Sequence, residues 1–170
     1  YVACVSARRD EIAPGELVEY WNNTYSRYYQ RNDPIFEIDP SLVGFLSGRL
    51  CYIGELQISE SLRGQFSAAK LASNLGLLAQ AICLNKWKPD FIYAFIREDK
   101  RFLARQFGFC RLIPNARTWL VEVSNRSSSE ILAASSAREA IACLTAYSQQ
   151  RTETKCHGAT ISAIDRQKEA

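Results

Sequence analysis

The chain has 170 residues, 47% of them apolar and 23% charged, which is enough for one domain with its own core and too few for two. No apolar run is expected to reach the length of a membrane span, so a membrane-embedded chain is not expected, and no segment has the layout of a signal peptide. The net charge of +3 is small and no nucleic-acid-binding motif accompanies it, so a nucleic-acid partner is not expected either.

Val2–Ala7 reads as a buried strand, and Pro14-Gly15 punctuates before a helix over Glu16–Tyr29. That helix is rich in aromatics: Tyr20, Trp21, Tyr25, Tyr28 and Tyr29 fall on adjoining faces. They read as packing against a sheet or a partner subunit in preference to an acceptor-site wall. Residues 30–38 read as a loop. Asp39-Pro40 is a capping residue followed by proline at the first helical position, which starts a short helix ending near Gly48.

Arg49–Ser59 reads as the central strand. Gln65–Trp87 has helical spacing, with Ala68, Leu71, Ala72, Leu75, Leu78 and Ile82 forming the expected buried stripe. Phe91–Ile96 is a short strand, and Glu98–Phe107 a helix closed by Gly108 in a left-handed cap. Phe109–Ile113 and Thr118–Val123 read as a closing hairpin across Pro114-Asn115-Ala116. Ser127-Ser128-Ser129-Glu130 has capping-box spacing and is expected to start a helix reaching about Gln149. This order gives a mixed α/β domain over 1–150, followed by a polar tail over 151–170.

Cys4, Cys51, Cys83, Cys110, Cys143 and Cys156 show no Cys-x-x-Cys pair, and His157 is the one histidine. A zinc site is therefore not expected, nor a cysteine nucleophile. Free thiols in apolar patterns fit a reducing, cytoplasmic setting.

Chemistry concentrates in the middle of the chain. The apolar strand through Leu50, Tyr52, Ile53, Leu56 and Ile58 breaks at a polar turn containing Arg63-Gly64-Gln65, which opens directly into the long helix. Such a turn aims backbone N–H groups and a guanidinium at the helix start, a setting for phosphate. The charges are distributed to match: residues 1–60 hold five basic and nine acidic side chains, and residues 61–117 hold ten basic and three acidic. The basic segment suits a polyanionic ligand.

Glu55-Leu56-Gln57-Ile58, then Arg63-Gly64-Gln65-Phe66-Ser67-Ala68, then Phe91–Ile96 and Gly108-Phe109 stand in an order that resembles the core of GNAT-type N-acetyltransferases. The resemblance covers the middle third of the chain. It implies a GNAT-like α/β fold, a mixed central sheet flanked by helices, that takes acetyl-CoA or another acyl-CoA. On that resemblance the pantetheine arm would bond the backbone of Leu56, Gln57 and Ile58. The pyrophosphate would lie on the N–H groups of Arg63, Gly64, Gln65, Phe66, Ser67 and Ala68.

The resemblance also makes Glu55 the base that deprotonates an amine acceptor. Its apolar neighbours Ile53 and Leu56 suggest a desolvated carboxylate. Two positions depart from the family pattern: Phe66 stands where glycine is usual, and Ala104 where a tyrosine acid is usual. Tyr93, with Tyr52 behind it, is the substitute acid.

The implied function is acyl-CoA-dependent N-acyl transfer, acetyl by expectation, to a small-molecule or peptide amine by direct attack in a ternary complex. The alternatives are a catalytically degenerate GNAT-like module acting through its surface, and a basic α/β nucleotide-binding protein. The acceptor would be set by residues 10–47, whose mildly acidic character suits a cationic amine, and the apolar C-terminal helix could serve a homodimer.

Overall fold

The computed structural model describes residues 3–30, 35–119 and 130–150. Its elements run β1 (Ala3–Ile12), α1 (Leu17–Tyr29), β2 (Ile35–Ile38), α2 (Pro40–Val43), β3 (Gly48–Ile58), α3 (Phe66–Trp87), β4 (Phe91–Arg97), α4 (Arg101–Gln106), β5 (Arg111–Pro114), β6 (Arg117–Trp119) and β7 (Glu130–Ser136). Residues 137–150 form a last helix, α5. Five strands make one sheet in the order β1-β3-β4-β7-β5, and β2 with β6 makes a separate two-stranded ribbon. Within the large sheet β3 and β4 are parallel and every other pair is antiparallel. The expected mixed α/β architecture, a mixed sheet with helices on its faces, is the architecture observed.

The sheet separates two cores. On one face α1 and α2 pack Leu17, Trp21, Tyr25 and Leu42 against Leu50, Tyr93, Leu132 and Ala134. On the other face Ala72, Ala79 and Cys83 of α3, with Ala104 and Phe107, pack on Cys51, Ile53, Ile92, Ala94, Ile131 and Ala133. Alternation along the strands produces this division, since successive side chains point to opposite faces.

The buried side of α3 differs from the expected stripe. Ala68, Ala72, Leu77, Ala79 and Cys83 are buried, whereas Leu78 and Ile82 are more than half exposed. Small residues win this face because they let the helix lie close: a Cβ added at Gly76 would sit 2.8 Å from the Phe107 ring. Ser67–Trp87 is also, contrary to expectation, long and apolar enough by length and composition to cross a membrane. In this fold it lies along β1 and β3, and the Cys51 thiol meets the Cys83 sulfur 2.8 Å away beneath it.

Three further expectations are corrected. Part of the 30–38 loop is strand β2, which pairs with β6. The expected closing hairpin does not form, because β5 pairs with β7 and β6 with β2. The two segments part at Asn115, whose φ is +49°, and the Ala116 carbonyl accepts the Asp39 N–H at 3.0 Å. Residues 120–123 lie outside the described residues, as do 127–129 and the tail.

The expected helix from Ser127 is, over Glu130–Ser136, strand β7. An unbroken buried apolar run looks the same as helix or central strand in sequence. The helix starts nine residues later, on a capping box of the same spacing. The Ser136 N–H donates to Glu139 Oε2 at 2.8 Å, and the Glu139 N–H donates to Ser136 Oγ at 3.3 Å. That backbone bond, with Arg111 behind it, holds the Glu139 carboxyl below the usual carboxylate range. At the other capped start, the Ser41 N–H donates to Asp39 at 2.9 Å, as the Asp39-Pro40 pair suggests.

Candidate active site

The parallel register of β3 and β4 runs through Leu50–Phe91, Cys51–Ile92 and Tyr52–Tyr93 and then stops. Both strands continue, β3 to Ile58 and β4 to Arg97. Each keeps its outer partner over this stretch: Cys4 and Ala3 face Gln57 and Ile58, and β7 accompanies β4 to Arg97. The inner edges of residues 53–56 and 94–96 therefore face one another without pairing.

The divergence starts at a bulge. Ser6 of β1 faces Gly54 and Cys4 faces Gln57, so Val5 alone opposes Glu55 and Leu56. Glu55 takes a φ of +52°, a left-handed conformation that a residue with a Cβ adopts at a cost. The extra residue resets the alternation. Cys51 and Ile53 face α3, and after the bulge Leu56 and Ile58 face it too. Without it both would swing to the opposite face.

A cavity of about 540 Å³ fills the gap. Its walls are Tyr52 to Leu56 on one side and Ala94 to Arg97 on the other, with Tyr28 and Tyr29 on the α1 face and Leu103, Phe107 and Phe109 on the α4 face. It thus passes between the strands from one face of the sheet to the other. Lys100 stands at its edge and, with Arg97, supplies basic charge, while Arg97 is also bonded to Asp99 at 3.0 Å. A second cavity of about 300 Å³ lies between α1, β1 and β3, lined by Arg8, Thr24, Tyr25, Arg27, Tyr28, Tyr52 and Glu55. Tyr28, Tyr52 and Glu55 belong to both cavities, so these three residues stand where the cavities meet.

Of the residues expected at the site, Glu55 and Leu56 line the larger cavity. Glu55 is exposed, so its apolar neighbours do not bury it as its sequence context suggested. Gln57, Ile58 and the turn from Arg63 to Ala68 lie beyond the cavity wall. In that turn the Arg63 Nε–H donates to the Ile58 carbonyl at 3.1 Å and its Nη1 lies 3.5 Å from Glu60. The guanidinium thus fastens the turn to the end of β3.

Gly64, with φ +80°, reverses the chain there. Gln65 Nε2 donates to the Ser61 carbonyl at 2.9 Å, and Ser67 Oγ donates to Gln65 Oε1 at 3.3 Å. The Ala68 N–H donates to the Gln65 carbonyl. The Phe66 and Ser67 N–H groups, in the first turn of α3, have no earlier helical carbonyl to bond.

Tyr93 is corrected. It is 1% exposed, and its hydroxyl accepts the Trp21 indole N–H at 3.4 Å. Burial pushes its pKa well above the ordinary tyrosine value, so it is a core residue with no route to a ligand. Alternation explains this: Tyr93 and Phe95 share the α1 face, whereas Ala94 faces α4. Tyr52, three residues before Glu55, is the β3 tyrosine that lines the gap. Ala104 is fully buried in α4.

Sequence reasoning missed Tyr28 and Tyr29 as cavity walls, along with Arg8, Arg27, Arg97 and Lys100. The aromatic run of α1 carried both roles: Trp21 and Tyr25 pack in the core, and Tyr28 and Tyr29, one turn on, face the gap.

No known family profile matches the chain, and no curated protein matches it. Solved structures do. Arabidopsis thaliana NAA60 in complex with acetyl-CoA is 14% identical, with a TM-score of 0.38; the match covers 79% of this chain and 65% of that one. A chimera of the Vibrio cholerae spermidine N-acetyltransferase SpeG and hSSAT is 10% identical, covering 81% and 98% at a TM-score of 0.38. A protein described as a phosphinothricin N-acetyltransferase is 15% identical, covering 78% and 98% at the same score. This chain therefore spans about two thirds of the NAA60 structure and nearly all of the other two. At such identity and overlap the likeness assigns neither activity nor substrate to this chain.

Proposed function

We propose that the protein is an acyl-CoA-dependent N-acyltransferase, most simply an acetyltransferase, acting on a small amine by direct attack. The observation that carries this reading is the gap between β3 and β4. Two bare strand edges facing a cavity call for a ligand with its own amide donors and acceptors, because buried backbone groups require partners. The pantetheine arm of coenzyme A is a narrow chain with two amides and meets that need. The N–H groups at the start of α3 and the basic side chains Arg97 and Lys100 supply positive potential for its phosphates.

The chemistry follows from the junction of the two cavities. An amine in the smaller cavity reaches a thioester in the larger one past Glu55. Its nitrogen lone pair attacks the carbonyl carbon, the C–N bond forms, and the C–S bond breaks. Glu55, directly or through a water, takes the proton that the amine loses. A backbone N–H on the bare edge of β3 stabilises the oxyanion. The coenzyme A thiolate leaves and takes up a proton. A thiol is acidic enough (pKa about 8.5) for this to need no strong acid, and Tyr52, in the cavity lining, is the hydroxyl we assign to assist.

Calorimetric titration with acetyl-CoA tests the reading, with Arg63→Ala as the comparison. Micromolar binding is expected for the parent chain. Weaker binding is expected for Arg63→Ala, whose turn loses its bond to the Ile58 carbonyl. Absence of binding at millimolar acetyl-CoA would eliminate the enzyme and leave a scaffold of the same shape acting through its surface.

A further inference from the structure

The smaller cavity has a charge pattern that the stretch around it does not share. Residues 10–47 are acidic in sequence, which favours a cationic acceptor. Yet Asp10, Glu11, Glu16, Glu19, Glu37 and Asp39 are all absent from its lining, which holds Arg8 and Arg27 against the single carboxylate of Glu55. Arg8 spends its Nε–H on Asp10, at 3.0 and 3.1 Å from the two carboxylate oxygens, and its guanidinium lies 5.2 Å from the centre of the Tyr52 ring. Arg27, in the last turn of α1, has no ion-pair partner among the described residues. Thr24, one turn earlier on the same helix, adds a hydroxyl, and Tyr25, Tyr28 and Tyr52 supply aromatic walls.

We infer that the acceptor is a small amine that also carries an anionic group, a carboxylate or a phosphate, with Arg27 and Arg8 holding the anion and Glu55 facing the amine. The inference rests on the acyltransferase reading. A polyamine would set its distal ammonium against two guanidiniums, a like-charge placement that disfavours binding. A zwitterion instead meets opposite charge at both ends. The volume of about 300 Å³ is at the lower end for ligand sites and suits an acceptor of metabolite size more than a folded partner. Arginine suits either anion, because its planar fork can bond two oxygens at once.

The test uses the full chain with acetyl-CoA and follows release of the coenzyme A thiol. Acceptors are offered in matched pairs: each common L-amino acid beside its carboxamide, and O-phosphoethanolamine beside ethanolamine. The amino-acid pairs report a carboxylate requirement and the ethanolamine pair a phosphate requirement. The expected result is at least a tenfold preference in kcat/KM for the anionic member of the best pair. Arg27→Ala should raise KM for that member at least tenfold with a smaller effect on kcat, narrowing the preference, and Arg27→Lys should restore part of it.

Equal or better use of the neutral member in every pair would overturn the inference, as would an Arg27→Ala defect that is equal for both members. Binding of acetyl-CoA without an anionic preference overturns the inference alone. Failure to bind acetyl-CoA removes the acyltransferase reading and this one with it.

Discussion

The two halves of the β3–β4 pair are made of similar residues and behave in opposite ways. From Leu50 to Tyr52 the strands are hydrogen-bonded and their side chains fill both cores; from Ile53 onward the same strands separate around a cavity. Hydrophobicity does not distinguish the halves, since Ala94, Phe95 and Ile96 are as apolar as Phe91 and Ile92. What differs is one residue inserted into β3 at Glu55, with its positive φ. The closed half fixes where the strands start, and the bulge fixes where they part. The cavity arises here from backbone geometry, with few dedicated side chains.

The largest effect is expected where the open half carries its chemistry. Glu55→Gln keeps the shape of the bulge residue and removes its ability to accept a proton. Turnover should fall about 10²- to 10⁴-fold, the usual contribution of a general base, while the calorimetric affinity for acetyl-CoA changes little. A decrease below about threefold in kcat would assign the proton to another group. A parallel loss of acetyl-CoA affinity would mean that Glu55 supports the bulge and takes no proton.

A smaller effect is expected from the group that holds the open half in shape. Phe95 lines the cavity, and the Arg117 guanidinium lies 3.5 Å from its ring centre, with Tyr25 and Trp119 at 4.3 and 4.4 Å. Arg117 is buried and paired with Glu130 at 2.8 Å, while its Nε and Nη1 have no hydrogen-bond partner among the described residues. Glu130→Gln leaves a buried charge uncompensated and should cost about 3–5 kcal/mol in denaturant unfolding. Replacing both partners by apolar residues, Arg117→Met with Glu130→Leu, should recover most of that. A loss under about 1 kcal/mol for Glu130→Gln would mean that the aromatic rings alone hold Phe95 in place.

How far the site could be read in advance follows from these same residues. The strand–turn–helix order around Arg63-Gly64-Gln65 was legible, because periodicity and turn chemistry are local. So was the α1 boundary. The bulge is hidden in the sequence, because Leu50, Cys51, Tyr52 and Ile53 are apolar at odd and even positions alike and serve both cores, so no change of parity stands out where the residue is inserted. Tyr93 was misplaced because its face depends on which side of the sheet α1 lands, a tertiary fact. β7 was misread because Glu130–Ser136 is buried on both faces, which erases the period-two alternation. The role proposed for Arg27 is invisible in a sequence, since lacking an ion-pair partner among the described residues depends on where distant acids fold.

The smallest effect tests the bulge itself. Glycine adopts a φ near +52° without the clash between Cβ and carbonyl that any other residue carries there. Glu55→Gly and Glu55→Ala both remove the carboxylate, so both should lose turnover alike. They differ only in whether a Cβ must be accommodated in the left-handed conformation. Glu55→Gly should therefore be about 1 kcal/mol more stable than Glu55→Ala, with acetyl-CoA affinity at least as high. In an ordinary strand position the order would be reversed, because glycine there costs about 0.5–1 kcal/mol relative to alanine. The sign of the difference thus reports directly on the backbone at residue 55. Alanine as the more stable variant would place Glu55 in regular strand, and the separation of β3 from β4 would then need a cause outside the bulge.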